Sequence, residues 1–346
     1  MHSQSAYARA AIALFAAAAP LASAQLTSDC NPIENSTCPP NVGLDQYRFT
    51  SDFTTGQNES WEGAAYTVIN YGDDGAELTI NKDTDAPTMH TEFYTMFGYF
   101  EVEMKAAPGT GIVSSIVLES DDLDEVDWEI LGGNNTSVQS NYFGKGNTTS
   151  YDRGGFHDVE TPVDTFHKYA FEWTNASMSW LIDGTVVRTL KYEDALGGKN
   201  YPQTPARLSL GVWSAGTKNT AKGTVEWAGG YTDFDEAPFT MYVRNVTIVN
   251  YTPAMNYNWT DTTGSFESIE AINKTVAVNS SSVEAAASAS SSAAAAGSTS
   301  GSSATSSSGA SFAQSGNSAA TSLIGQGWVA TSTISLVSFA IGFSLL

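Results

Sequence analysis

The run Glu125-Val126-Asp127-Trp128-Glu129-Ile130 constrains this chain more than any other segment. Acidic and apolar side chains alternate strictly, which is the two-residue period of a β-strand. As a strand the run sends three carboxyls to one face and Val126, Trp128 and Ile130 to the other. A fold that accepts it needs a core on one side of a sheet and an open surface on the other. The same period recurs in Tyr99-Phe100-Glu101-Val102-Glu103-Met104, where Phe100, Val102 and Met104 would face the core and Glu101 and Glu103 water. Segments 166–173, 178–182, 207–213 and 240–249 behave alike, and turn signals such as Asp183-Gly184, Gly132-Gly133 and Gly229-Gly230 separate the strands. Helical periodicity is scarce. Many short strands with few helices predict an all-β fold, a sandwich of two sheets, over residues 45–251.

The two ends are different material. Residues 1–24 join an apolar run to Ala22-Ser23-Ala24, the pattern of a secretory signal peptide. Residues 25–44 contain Cys30 and Cys38, which in a secreted chain read as one local disulfide stapling an N-terminal loop. A connecting segment, 252–275, leads to residues 276–322, almost wholly Ser, Ala, Thr and Gly. That stretch has too little apolar side chain to offset its ordering entropy and reads as a solvated stalk. The apolar tail 323–346 follows the small residues Asn317-Ser318-Ala319 with no basic flank after it. The order matches a glycosylphosphatidylinositol (GPI) signal with Asn317 as lipid anchor and the membrane as partner; a C-terminal membrane helix is the alternative. Sequons at Asn35, Asn58, Asn147, Asn175, Asn245, Asn250 and Asn258 fit a secreted glycoprotein.

A formal charge of −22 excludes nucleic acid as a partner, since that needs a basic footprint. No phosphate-cradling loop appears, so no cofactor is expected. Two cysteines without a histidine cluster, and acids without the spacing of an EF-hand, give no metal site. His90, His157 and His167 are isolated in sequence and read as structural, and a monomer is the default.

Three like charges on one strand face repel, which raises at least one carboxyl pKa, as a general acid near neutrality requires. Retaining glycoside chemistry uses two carboxyls about 5–5.5 Å apart. Positions i and i+4 of a strand are about 13 Å apart at Cα, so Glu125 and Glu129 must lean together, with Asp127 between them. A solvated acidic face is the plain alternative.

With its flanks, the run Asp124–Gly132 resembles the E-x-D-x-E signature of glycoside hydrolase family 16, and more narrowly the fungal Crh-type chitin–glucan transglycosylases. Residues 139–146, Tyr151-Asp152-Arg153, 201–205 with 207–213, 223–230 and the two cysteine motifs are similar too. The resemblance implies a jelly-roll sandwich with a substrate cleft across its concave sheet. It makes Glu125 the nucleophile, Glu129 the acid/base in contact with the sugar, and Asp127 the helper. It implies chitin as donor, β-glucan as acceptor, and a polysaccharide site drawing on Trp213, Trp227, Gln139, Asn141, Lys145, Thr224 and Glu226. For Trp213 and Trp227 a place in the core is an equal alternative, while Trp128, Trp173 and Trp180 are assigned to it. A hydrolase of the same fold and a non-catalytic carbohydrate-binding wall protein are the competing functions.

Overall fold

The computed structural model describes residues 30–65, 67–149 and 153–274. The segments read as signal peptide and stalk, the apolar tail, Asn317, Tyr151 and Asp152 lie outside the described residues. Two large antiparallel sheets form a sandwich. The first has seven strands in the order Gly155–Asp158, Ser137–Phe143, Glu125–Leu131, Ile112–Ser120, Ala206–Ser214, Thr88–Thr91 and Trp61–Gly63. The second has eight, among them Gly98–Lys105, His167–Trp173, Ser177–Ile182, Thr185–Lys191 and Phe239–Asn250.

The predicted strands therefore form, within a residue or two of the expected bounds. Each does so for the expected reason: the apolar half of the alternation is the core. Phe100, Val102 and Met104 of the second sheet are buried against Trp128, Val126 and Ile130 of the first in one hydrophobic cluster. Trp173 and Trp180 are buried there as well. Asp183 and Gly184 make the two-residue hairpin between Ser177–Ile182 and Thr185–Lys191, with φ of 48° and 77°. Positive φ at both central residues is what the twist of such a hairpin demands.

Two tryptophans pin the sheets together through the acidic strand. Trp128 Nε1 donates to the Ala170 carbonyl at 3.3 Å, and Trp180 Nε1 donates to the Asp127 carbonyl at 3.1 Å. A buried indole N–H needs such a partner, and here the partner fixes the backbone under the acids.

Segments expected to flank the sandwich are built into it. Asn41–Val42 pairs with Asn256–Trp259, which pairs with Ile269–Ile272, making a small third sheet. It holds the acid loop, because Asn41 Nδ2 donates to Asp121 at 2.7 Å and Trp259 Nε1 donates to Asn41 at 2.7 Å. Cys30 and Cys38 are disulfide-bonded, with Cα atoms 5.7 Å apart.

Candidate active site

The three acids occupy Glu125–Leu131, third strand from one edge of the seven-stranded sheet. Because Val126, Trp128 and Ile130 are locked in the core, Glu125, Asp127 and Glu129 are committed to the outer face. A one-residue slip would reverse both sets, and three large apolar side chains oppose it. Directly paired residues of neighbouring strands share a face, so the register maps the surface around each acid. Glu125 is flanked by Glu119 and Phe143, Asp127 by Val117 and Asn141, and Glu129 by Ser115 and Gln139.

The acids are deeply set for an outer face. Asp127 is only 2% exposed and Glu125 9%, while Glu129 is half-buried. Burial pushes the Glu129 carboxyl up to about 8, with the Glu125 charge adding to the rise. Burial likewise raises Asp127 well above the carboxylate range, helped by Glu129 and Glu125. Arg188 pulls Asp127 the other way and is outweighed. Asp127 hydrogen-bonds Glu125, and because that bond raises the Asp127 pKa, protonated Asp127 is the donor and Glu125 the acceptor. Near neutrality Glu129 thus keeps its proton, and the same burial favours the protonated form of Asp127 beside Glu125. One carboxylate and one carboxylic acid on a single face is the charge arrangement of a double-displacement glycosidase.

The start of the acidic strand is anchored by other acids. Asp124 Oδ2 accepts from the Gln203 N–H at 2.8 Å and lies 2.9 Å from the Thr204 hydroxyl, which is 2.7 Å from Asp122 Oδ1. Lys145 Nζ sits 3.3 Å from Asp124 and 3.8 Å from Asp122. Burial raises Asp122 to about 7, and the nearby Asp124 charge adds to it against Lys145. Leu123 between them has φ of 65°, so the chain turns sharply into Glu125 and the buried network holds the turn.

Indole rings wall the Glu129 side. Trp213 is the penultimate residue of the strand Ala206–Ser214, and its Nε1 donates to Ser115 Oγ at 3.3 Å. Trp227 ends the short helix Lys222–Trp227, and its Nε1 donates to Gln139 Oε1 at 2.9 Å. The two rings stack at 6.3 Å with 25° between planes, both half-buried, over an outer-face cluster of Val113, Leu131, Ala215 and Ala228. Neither joins the main core. Ser115 and Gln139 are the cross-strand neighbours of Glu129, so both indoles are tied to positions beside that carboxyl. Half-exposed aromatic faces of this kind suit the apolar faces of sugar rings.

The remaining expected sugar contacts divide. Gln139 and Asn141 lie on the outer face beside Glu129 and Asp127, and Asn141 Oδ1 is buried with no hydrogen-bond partner. Lys145 does not present its charge to the groove, because Asp122 and Asp124 hold its ammonium. Glu226 is exposed on the short helix and bridged by Lys222 at 3.3 Å, while Thr224 is half-buried on the same helix. Reading along the chain missed Ser115, Glu119, Arg207, Ser209 and His90 as parts of this face. Their alternation was visible, but only the pairing register puts them beside the acids.

The sequence matches the family model "Glycosyl hydrolases family 16" over residues 54–229. It is 56% identical to Crh-like protein 5 of Aspergillus fumigatus over 78% of this chain and 68% of that protein. Among solved structures it is similar to a Crh5 transglycosylase in complex with NAG, with a TM-score of 0.68 and 56% identity over 70% of this chain and 99% of that one. It also resembles a Bacillus licheniformis beta-glucanase, with a TM-score of 0.50 and 23% identity over 59% of this chain and 99% of that one, which speaks for the fold alone. A sandwich that projects three acids from one strand, matched by the family model over residues 54–229, belongs to the glycosyl hydrolases of family 16.

Proposed function

We propose that this enzyme is a retaining transglycosylase that opens chitin and transfers the fragment to β-glucan, cross-linking the two polymers of a fungal cell wall. The observation that carries this reading is that Glu125, Asp127 and Glu129 emerge from one strand onto one face, with half-buried Trp213 and Trp227 tied beside Glu129. Glu129 is held protonated up to about pH 8 by burial and by Glu125, while Asp127 hydrogen-bonds Glu125. In the first step the Glu125 carboxylate attacks the anomeric carbon. The glycosidic C–O bond breaks with its electron pair on the leaving oxygen, which takes the Glu129 proton. Asp127 keeps Glu125 aligned and stabilises its carboxylate until the new ester bond forms. In the second step an acceptor hydroxyl gives its proton to the Glu129 carboxylate as its oxygen bonds the anomeric carbon, and the Glu125 carboxylate leaves. Trp213 and Trp227, next to Glu129, support sugar rings beside the bond being exchanged.

Support for the donor and the transfer comes from similarity to a transglycosylase whose structure was solved with NAG. Incubating the protein with chitin oligosaccharides and a fluorescent β-glucan oligosaccharide tests it. Mass spectrometry should find the label covalently joined to N-acetylglucosamine units. Shortened chitin alone makes the enzyme a hydrolase, and no product with either polymer removes the reading.

The placement at the cell surface is part of the same proposal. Residues 1–24 direct secretion, and Asn317 receives the lipid once residues 318–346 are removed. Truncation at Asn317 should release the protein to the medium, and a truncated form still bound to membranes refutes the anchor.

A further inference from the structure

One cross-strand row of the outer face runs from Asn141 through Asp127, Val117 and Ser209 to His90 and Glu62. Four side-chain atoms along it are buried with no hydrogen-bond partner among the described residues: Asn141 Oδ1, Asp127 Oδ1, Ser209 Oγ and His90 Nδ1. Buried polar atoms without partners are rare in native proteins and each calls for an explanation. Two of these belong to the reacting centre. The other two do not. At a strand spacing of about 4.8 Å, Ser209 and His90 lie about 10 and 14 Å from Asp127, beyond the reach of the bond being cut.

The chemistry there is mixed. Ser209 is 2% exposed and His90 7%. Arg207, two residues before Ser209 on the same face, lies with its guanidinium 5.1 Å from the Tyr94 ring centroid and makes no ion pair among the described residues. Burial and the Arg207 charge pull His90 below the usual histidine range, with Glu62 acting against them, so the ring is neutral. Its Nε2 is 3.8 Å from the Glu62 carboxylate. A proton on that nitrogen leaves Nδ1 as a bare acceptor. The Ser209 hydroxyl thus lies on the strand paired with that of the ring acceptor, and the Arg207 charge is near enough to act on the ring, the complement of an amide with its C=O and N–H.

We infer that Arg207, Ser209 and His90 select the donor by binding the 2-acetamido group of an N-acetylglucosamine unit two or three strand spacings from the cleaved bond. Ser209 and Arg207 donate to the acetamide oxygen, and His90 Nδ1 accepts its N–H. This rests on the chitin-donor reading above. A site built to hydrogen-bond a group rejects an analogue lacking it, because its buried polar atoms then stay unpaired.

Chitotetraose and cellotetraose share the β-1,4 linkage and differ in the acetamido group, so their affinities isolate this contact. Both are measured by calorimetry in the Glu125→Gln protein, where turnover does not interfere. The parent should bind chitotetraose more tightly, and Ser209→Ala and His90→Phe should each shrink that preference about tenfold. Ser209→Ala removes an unpartnered hydroxyl and should leave the melting temperature unchanged, which keeps the test readable if His90→Phe fails to fold. An undiminished ratio in the folded variants overturns the inference, even if both affinities fall together. A parent that binds neither sugar, or shows no preference, overturns the chitin-donor reading and this inference with it.

Discussion

Two strands of this molecule, Gly98–Lys105 and Glu125–Leu131, carry nearly the same pattern and serve opposite ends. Each alternates acid with apolar residues, and each buries its apolar half in the shared core. On the second sheet, Glu101 is met by Lys168 at 2.9 Å and by the Tyr99 hydroxyl at 2.7 Å. Glu103 is met by Arg244 at 3.3 Å and by Asn245 at 3.2 Å. On the first sheet no cation stands within ion-pair distance of Asp127 or Glu129 among the described residues. Their charge is managed by protonation. The contrast teaches that the pattern builds the strand, while the cations on neighbouring strands decide whether its acids are ordinary surface groups or a reactive set.

Substitutions along the two strands test this contrast. Glu125→Gln should abolish turnover, a loss of at least about ten-thousandfold in kcat, with an unchanged melting temperature. Substantial residual activity would remove Glu125 as nucleophile. Glu129→Gln should lower transfer from ordinary oligosaccharides by about 10²- to 10⁴-fold. A donor carrying an activated leaving group, which needs no proton, should recover its first step, visible as a burst of released leaving group.

The pH dependence follows from the raised Glu129 pKa. Transfer should fall about tenfold per pH unit above about 8, where Glu129 loses its proton. The folded state holds that proton while the unfolded chain releases it near 4.5. Stability linked to Glu129 is therefore full below about 4.5 and is lost as pH rises through about 8. Thermal melts of Glu129→Gln against the parent should show this slope disappear; parallel melting curves across that window would contradict the raised pKa. Trp227→Phe keeps an aromatic face but loses the bond to Gln139, and KM should rise about five- to tenfold with kcat little changed. The smallest effect belongs to the other strand: Glu101→Gln should leave kcat unchanged and cost about 1 kcal/mol or less in a denaturant melt. A large kcat loss there would break the comparison.

Much of the fold was legible because strands announce themselves by period. Segments 207–213 and 240–249 appear as Ala206–Ser214 and Phe239–Asn250, since burying one face of each leaves no other conformation that hides the apolar residues. The short helix Lys222–Trp227 was not legible, because a turn and a half of helix has no period to read. The shared face of Glu125, Asp127 and Glu129 was legible in the alternation of the strand. Lys145 stood out only as a lysine near the acidic strand, whereas the structure pairs its charge with buried Asp122 and Asp124. Residues 121–124 registered only as acid density, and the structure resolves them into a braced turn fastened by Thr204, Gln203 and Asn41. His90 seemed solitary because its neighbours Ser209 and Glu62 are distant in the chain.

Residue order by itself determined the strand-rich architecture, the face on which Glu125, Asp127 and Glu129 emerge, and the membership of the Cys30–Cys38 bond, since each follows from local period or from the absence of any other partner. Tertiary structure decided which strands adjoin the acidic one, and with them the depth of burial, the lack of a paired cation at Asp127 and Glu129 among the described residues, and the raised pKa of Glu129. Those properties depend on distances between residues far apart in the chain, and solvation and Coulomb forces respond to that geometry rather than to order along the backbone.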